Sequence, residues 1–170
     1  MSMGDAVTGR VVQVNISPGG VPKLPVESAA VSTLGLEGDG HRSEEHHGGP
    51  ERAVCLYALE AIEALRAEGH PIAPGALGEN LTVEGLAWED VVPGLKLAVG
   101  PDVVLEITRY TSPCMNIMRA FAGGEFSRVS QKRHPGWSRV YARVLGPGRV
   151  RVGDPVRALT ADREAAIVPS

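Results

Sequence analysis

Glycine and proline interrupt this chain so often that its apolar segments are nearly all strand-length, and that spacing limits the fold more than any other feature. The 21 glycines and 13 prolines stand against 4% aromatic residues, so the core has to be assembled from Val, Leu, Ile and Ala on short elements. The segment GRVVQVNIS predicts a first strand with Val12, Val14 and Ile16 on one side, followed by a turn at Ser17-Pro18-Gly19-Gly20. In VPKLPV, Pro22 and Pro25 cannot donate to a ladder, which makes this an edge strand or a segment beside a site. AVCLY and ENLTVEGL read as further strands. VVPGLKLAVGPDVVLEIT reads as two strands joined at Gly100-Pro101-Asp102. GWSRVYARVLG turns at Gly146-Pro147-Gly148 and is expected to pair back with RVRVGDPVRAL.

One segment has helical period. ALEAIEALRAEG places Leu59, Ile62 and Leu65 on one face, spaces Glu63 and Arg66 as an i,i+3 pair, and stops at Gly69. The sum is at least seven strands, one solid helix and one short helix, an all-β fold closing into a β-barrel. A single domain over residues 8–159 is expected, with loose termini at 1–7 and 160–170. A net charge of −3 and 22% charged residues argue against a basic nucleic-acid surface, and no apolar run approaches the ~20 residues a membrane helix needs. With two cysteines and no signal segment, a cytoplasmic location is expected.

The candidate chemistry centres on Cys114 in TSPCMNIMRAFAG. Thr111 or Ser112 as N-cap and Pro113 at the first helical position would put this thiol in a first turn, where free N–H groups and the helix dipole favour thiolate. Met115, Met118 and Ala122, with Ile117 and Phe121, would form the apolar face of that helix. Because it follows a barrel strand, the thiol is expected at the barrel rim. Cys55, inside AVCLY, reads as core.

A second polar region runs from Gly35 to Arg52 and returns directly into a strand, which predicts an ordered functional loop over the same mouth. Gly48 and Gly49 could offer backbone N–H groups to an anion, with Arg52 beside them. Lys23 reads as a solvated lysine or a cation for an anionic ligand. His41 with His46 or His47 could hold zinc, although their spacing matches no familiar zinc site. Arg128, Lys132, Arg133 and His134 read as a basic loop or flap. Asn80 stands in a turn before a strand, where bonding to a neighbouring loop is expected.

Taken in order, GLEGDGH, HHGGPERAVCLY, PGALGENLTVEGL, SPC, GWSRVYARVL and VGDPV resemble the MOSC domain, the family named after the C-terminal domain of molybdenum cofactor sulfurases. The likeness runs from Gly9 to Leu159. It implies a barrel of mainly antiparallel strands, a molybdenum cofactor (molybdopterin), and a cysteine, here Cys114, that ligates molybdenum or carries sulfur. The residues expected around that cofactor are Lys23, Asp39, His47, Gly48, Gly49, Arg52, Asn80 and Arg109. Stand-alone members are similar to proteins that reduce N-hydroxylated compounds. For this chain the resemblance implies a small N-oxygenated substrate or a sulfur donor, and a separate redox partner, since no flavin, haem or iron–sulfur motif is visible. A pyridoxal phosphate label belongs to family members fused to an aminotransferase-like module, which this length does not accommodate. Two other functions compete: a thiol hydrolase using Cys114 with His47 or His134 and a carboxylate, and a non-catalytic binding barrel.

Overall fold

The structure is a computed structural model that describes residues 8–40 and 49–159. Its first strand, β1 (Thr8–Ile16), shows how pleat and bulge together choose the buried side chains. Val11 pairs with Val83 and Gln13 with Thr82, so Val12 is an extra residue and the alternation slips by one. Val11 and Val14 are therefore fully buried while Val12 is half-exposed, so of the expected Val12, Val14 and Ile16 face Val14 and Ile16 meet the core and Val11 replaces Val12. The edge assignment of VPKLPV holds: β2 (Leu24–Val26) pairs with β1 alone.

Seven strands close the barrel. β1 is followed round the wall by β6 (Leu81–Glu84), β5 (Val54–Ala58), β9 (Val140–Gly146), β8 (Val103–Tyr110), β7 (Lys96–Val99) and β11 (Pro155–Ala158), which pairs back onto β1. All neighbours are antiparallel except β5 and β6. A parallel pair needs a crossover, and α1 (Leu59–Ala67) supplies it. The hairpin at Gly100 forms as read, with Val99 opposite Val103. The hairpin at Gly146-Pro147-Gly148 does not. There the chain leaves the barrel, and β10 (Gly148–Arg151) joins a small second sheet with β3 (Ser28–Ser32) and β4 (Gly35–Leu36). Only β11, beyond the Asp154 turn, returns to close the ring.

Inside the barrel Val11, Val14, Val54, Leu56, Leu81, Val83, Leu105, Val140 and Ala142 form one apolar core. A second core lies against the outer wall, where Tyr57 from β5 meets Ile62 and Leu65 of α1, Ile72, Leu77, Ile117, Phe121 and Val129. Ala61, rather than the half-buried Leu59, completes the inner face of α1. Burying Ile62 or Leu65 completely stabilises by roughly 1.5–3 kcal/mol each. This outer core holds down the segments that enclose the site. Among the described residues no helix is long and apolar enough to cross a membrane. The termini expected to be loose lie outside the described residues.

Candidate functional site

Strand alternation gives the barrel wall a polar outer stripe. Val54, Leu56, Leu81, Val83, Val140 and Ala142 point into the barrel, so Cys55, Thr82 and Tyr141 point out from the same strands. Cys55 and Tyr141 are directly opposed in the β5–β9 ladder and stand side by side. Asn15, Asn80, Thr82 and Cys55 are nonetheless buried, because the loops before β2 and β6 and the segment after β8 lie over them. Between those covers is a cleft of about 680 Å³, open mouth included, lined by Lys23, Arg52, Cys55, Asn80, Ser112, Cys114, Asn116, Arg139 and Tyr141 among others. The site is therefore on the outer wall and not in the barrel mouth, a correction to the expected rim.

Cys114 lies in this cleft, but on different backbone from that expected. The following segment, Met115–Ala120, is a six-residue 3-10 helix, and Cys114 is its extended N-cap, with φ −143° and ψ 178° and no side-chain cap bond. Three residues per turn place Ile117 and Ala120 inward and Met115 and Met118 outward, so Met115 is 70% exposed and does not join the apolar face. The half-buried thiol thus owes its position to the end of β8 and to Ile117 and Phe121 anchored in the outer core.

Asp39 organises one wall. Its carboxylate accepts from Lys23 Nζ at 2.6 and 2.8 Å, from Asn80 Nδ2 at 3.0 Å and from the Ser17 amide at 2.9 Å. Lys23 is hence ion-paired at a site where both side chains are at least nine-tenths buried, and the solvated reading does not apply. Asn80 also accepts from the Cys55 amide at 3.0 Å and donates to the Asn15 carbonyl at 3.2 Å. The arch at residues 74–80 leans on the same wall. A Cβ on Gly75, which has φ +87°, would collide with the Lys23 carbonyl, and one on Gly78 would come within 2.8 Å of Val21 Cγ1. Glu79, fully buried at the base of the arch, accepts from the Gly75 amide and the Thr82 hydroxyl, while its Oε1 has no partner among the described residues. Burial pushes its carboxyl above the ordinary carboxylate range.

The opposite wall carries two arginines. Arg139 is 7% exposed; one terminal nitrogen donates to the Leu77 carbonyl at 2.7 Å, and its buried Nε has no hydrogen-bond partner among the described residues. The Arg52 guanidinium lies over the Tyr141 ring, 5.8 Å from its centroid. Burial raises the Tyr141 phenol, and Cys55 and Cys114 raise it further against Arg139 and Arg52. Burial likewise pushes the Cys55 thiol up to about 11. The cleft's described lining holds three cations, Lys23, Arg52 and Arg139, and no carboxylate, with Asp39 paired to Lys23 behind it, so these residues set basic groups beside a soft sulfur. It can accept an anion and a thiophilic metal together.

The structure therefore brings Lys23, Arg52, Asn80 and Cys114 into one cleft, with Asp39 behind them. Gly49 is exposed outside the lining, and Arg109 is exposed on the outer face of β8, one strand beyond Tyr141 and also outside the lining. His47, Gly48, His41 and His46 lie outside the described residues. Among those that are described, no group of three or more His, Cys, Asp and Glu could hold a metal ion. His134 is exposed and does not line the cleft, so it is not brought to Cys114 as a hydrolase would require. Of the basic flap, Arg128 is no solvated cation: it pairs with both oxygens of Glu68 at 2.9 and 2.7 Å and stacks 4.1 Å from the Trp137 ring centroid. Sequence reading missed Arg139, Tyr141, Ser112 and Asn116. An arginine immediately before a strand was the available signal for Arg139.

The MOSC domain model matches residues 43–157. This chain belongs to the MOSC domain family. Its relatives include YflK of Bacillus subtilis, 34% identical over 79% of this chain and 60% of that protein, and YiiM of Escherichia coli, 30% identical over 92% of this chain and 71% of that protein. A protein of Gibberella moniliformis named "Reductase" is 34% identical over 75% of this chain, but the match spans only 23% of that protein. Among solved structures, YiiM of Geobacillus stearothermophilus superposes with a TM-score of 0.69 over 89% of this chain and 75% of its own, at 24% identity, and so shares the MOSC fold.

Proposed function

We propose that this MOSC protein binds the molybdenum cofactor in the outer-wall cleft and reduces N-hydroxylated compounds with electrons from a separate donor. The observation that carries the reading is the meeting of the Cys114 thiol with Lys23, Arg52 and Arg139 in a cleft with no carboxylate among its described lining residues. A pterin-bound molybdenum is held through sulfur and carries a phosphate, so it needs one soft donor and several cationic or N–H donors. The residues present fit this demand, and the unpartnered buried Nε of Arg139 is a donor awaiting an acceptor. The relative named as a reductase supports the reductive direction.

When bound, the cofactor would supply two-electron redox chemistry at the metal. The chain's own part is positioning. Cys114 would ligate the metal, Arg52 and Arg139 would hold the anionic end, and Asn80, tied to Asp39 and the Cys55 amide, would keep the floor rigid. Ile117 and Leu77 would keep water from the inner wall. The two free thiols suit a reducing compartment such as the cytoplasm. Substrate and redox donor would be the partners, with no role for nucleic acid or membrane.

The test is elemental analysis of protein purified from a host that makes the cofactor, alongside Cys114→Ser. Wild-type protein should carry molybdenum at a substantial fraction of one per chain, and the serine variant should fold but lose turnover, because a hydroxyl is a hard, weakly acidic replacement. Absence of molybdenum, or full turnover in the variant, would refute the assignment. A stable persulfide on Cys114 without turnover would instead place the protein among sulfur carriers.

A further inference from the structure

The foregoing reading gives Tyr141 no task, yet it lines the cleft together with Cys114, Arg52 and Arg139. Register sets the ring beside Cys55, and the Arg52 guanidinium covers it at 5.8 Å. Charges on Cys55, Cys114, Arg139 and Arg52 all act on its hydroxyl. The other tyrosine of this outer wall, Tyr57, spends its hydroxyl on the Trp137 carbonyl at 2.6 Å. The Tyr141 hydroxyl has no hydrogen-bond partner among the described residues.

Reductive cleavage of an N–O bond requires an acid next to the departing oxygen, and the cleft offers few. Lys23 has committed its ammonium to Asp39. Arg52 and Arg139 are guanidinium groups, which do not give up a proton in proteins. Cys55 is 6% exposed at the floor, and Cys114 is assigned to the metal. Ser112 carries an aliphatic hydroxyl, a far weaker acid than a phenol. Among the described cleft residues, the proton that is both transferable and uncommitted is the one on Tyr141.

We infer that Tyr141 is a catalytic residue that donates its phenolic proton to the oxygen of an N-hydroxylated substrate as the N–O bond breaks. The inference rests on the proposed reductase reading. In balance, the substrate's N–OH group, two electrons and two protons give an N–H group and water. The electrons come from the separate reduced donor, the first proton passes from the phenol to the leaving oxygen, and the second reaches nitrogen from solvent. The phenolate left behind faces Arg52 and Arg139, whose charges favour it until solvent restores its proton.

Tyr141→Phe tests this, since it keeps the ring and its stacking on Arg52 and removes only the O–H. With an N-hydroxylated base as substrate and a reduced viologen dye as donor, kcat should fall about a hundredfold or more. Molybdenum content and thermal midpoint should remain at wild-type values. Without donor, calorimetry should show the variant binding the N-hydroxylated base about three- to tenfold more weakly while its affinity for the corresponding reduced base is unchanged, since only the former places a hydroxyl against the phenol. A variant kcat within twofold of wild type overturns the role of Tyr141. Loss of molybdenum together with activity overturns it as well, by making the phenol a cofactor contact. Wild-type protein with neither molybdenum nor turnover overturns the underlying reading, which metal-loaded, active wild-type protein leaves standing whatever the variant shows.

Discussion

Asn80→Ala is expected to be among the most damaging single changes outside the apolar cores, and the reason is a count of orphaned partners. The side chain satisfies the Cys55 amide at 3.0 Å and the Asn15 carbonyl at 3.2 Å, both in residues no more than 6% exposed, and it gives Asp39 a third donor at 3.0 Å. Removing it leaves a buried N–H and weakens a buried C=O, at about 1–3 kcal/mol for each unsatisfied group, so roughly 2–5 kcal/mol in all after partial relaxation. For a domain of this size that corresponds to a fall in Tm of about 5–15 °C. Thermal and urea denaturation of metal-free protein measure it directly. Asn80→Asp sharpens the test: it retains the acceptor for the Cys55 amide but turns a carboxylate toward Asp39. Of two facing carboxylates one has its pKa raised in the folded state, so this variant should be nearest wild type in acid and lose stability as pH rises through that raised value. A drop in Tm below about 2 °C for Asn80→Ala, or an Asn80→Asp variant indifferent to pH, would refute the claim that this side chain joins β1, β5 and the Asp39 loop.

Two further outcomes follow from the same wall. At pH 7 an alkylating reagent should label the half-buried Cys114 of metal-free protein and spare Cys55, whose thiol burial holds up to about 11; peptide mapping reads the ratio, and equal labelling would contradict the burial of the floor. Cys55→Ala should cost on the order of 1 kcal/mol and leave molybdenum content unchanged. Glu79 has a folded-state pKa raised by burial, so its contribution to stability is present below the ordinary carboxylate range and is lost as pH rises through the raised value. Glu79→Gln should therefore flatten the pH dependence of urea stability above that range, and a variant curve parallel to wild type at every pH would count against a buried, protonated carboxyl.

Much of the barrel was legible because its signals are local. A Gly-Pro-Asp turn between two Val-rich runs determines the β7–β8 hairpin without help from the rest of the chain, and the prolines of VPKLPV exclude an interior strand. What could not be read was decided at long range. The bulge at Val12 depends on β6 pairing with both Val11 and Gln13, and nothing in VVQV distinguishes it from a regular strand. The Gly146-Pro147-Gly148 signal is equally compatible with a hairpin and with a step between sheets. The choice falls to the second because β5 already occupies the free edge of β9, and β3 has an open edge for β10.

The site followed the same division. Cys114, Arg52 and Lys23 stand out by local chemistry, but the helix after Cys114 differs from expectation: a run with an expected ~3.6 residues per turn folds at about three, which keeps Ile117 buried, adds Ala120 and turns Met115 and Met118 outward. Arg139 and Tyr141 belong to GWSRVYARVLG, whose sequence leaves open whether Val140 or Tyr141 faces the core; in the structure Val140 does and Tyr141 turns outward from the barrel. The missing step was that outward here does not mean exposed. Once α1 and the 3-10 segments bury the outer wall, an outward arginine must find acceptors or hold a ligand, since an unpaired buried guanidinium is costly. Among the described residues the Arg139 side chain has one acceptor, the Leu77 carbonyl, and a buried Nε with none. That spare donor suits an anion, and it is enclosed by the same covering segments that bring Cys114 to the cleft, so the burial of Arg139 and the placing of the thiol have one structural origin.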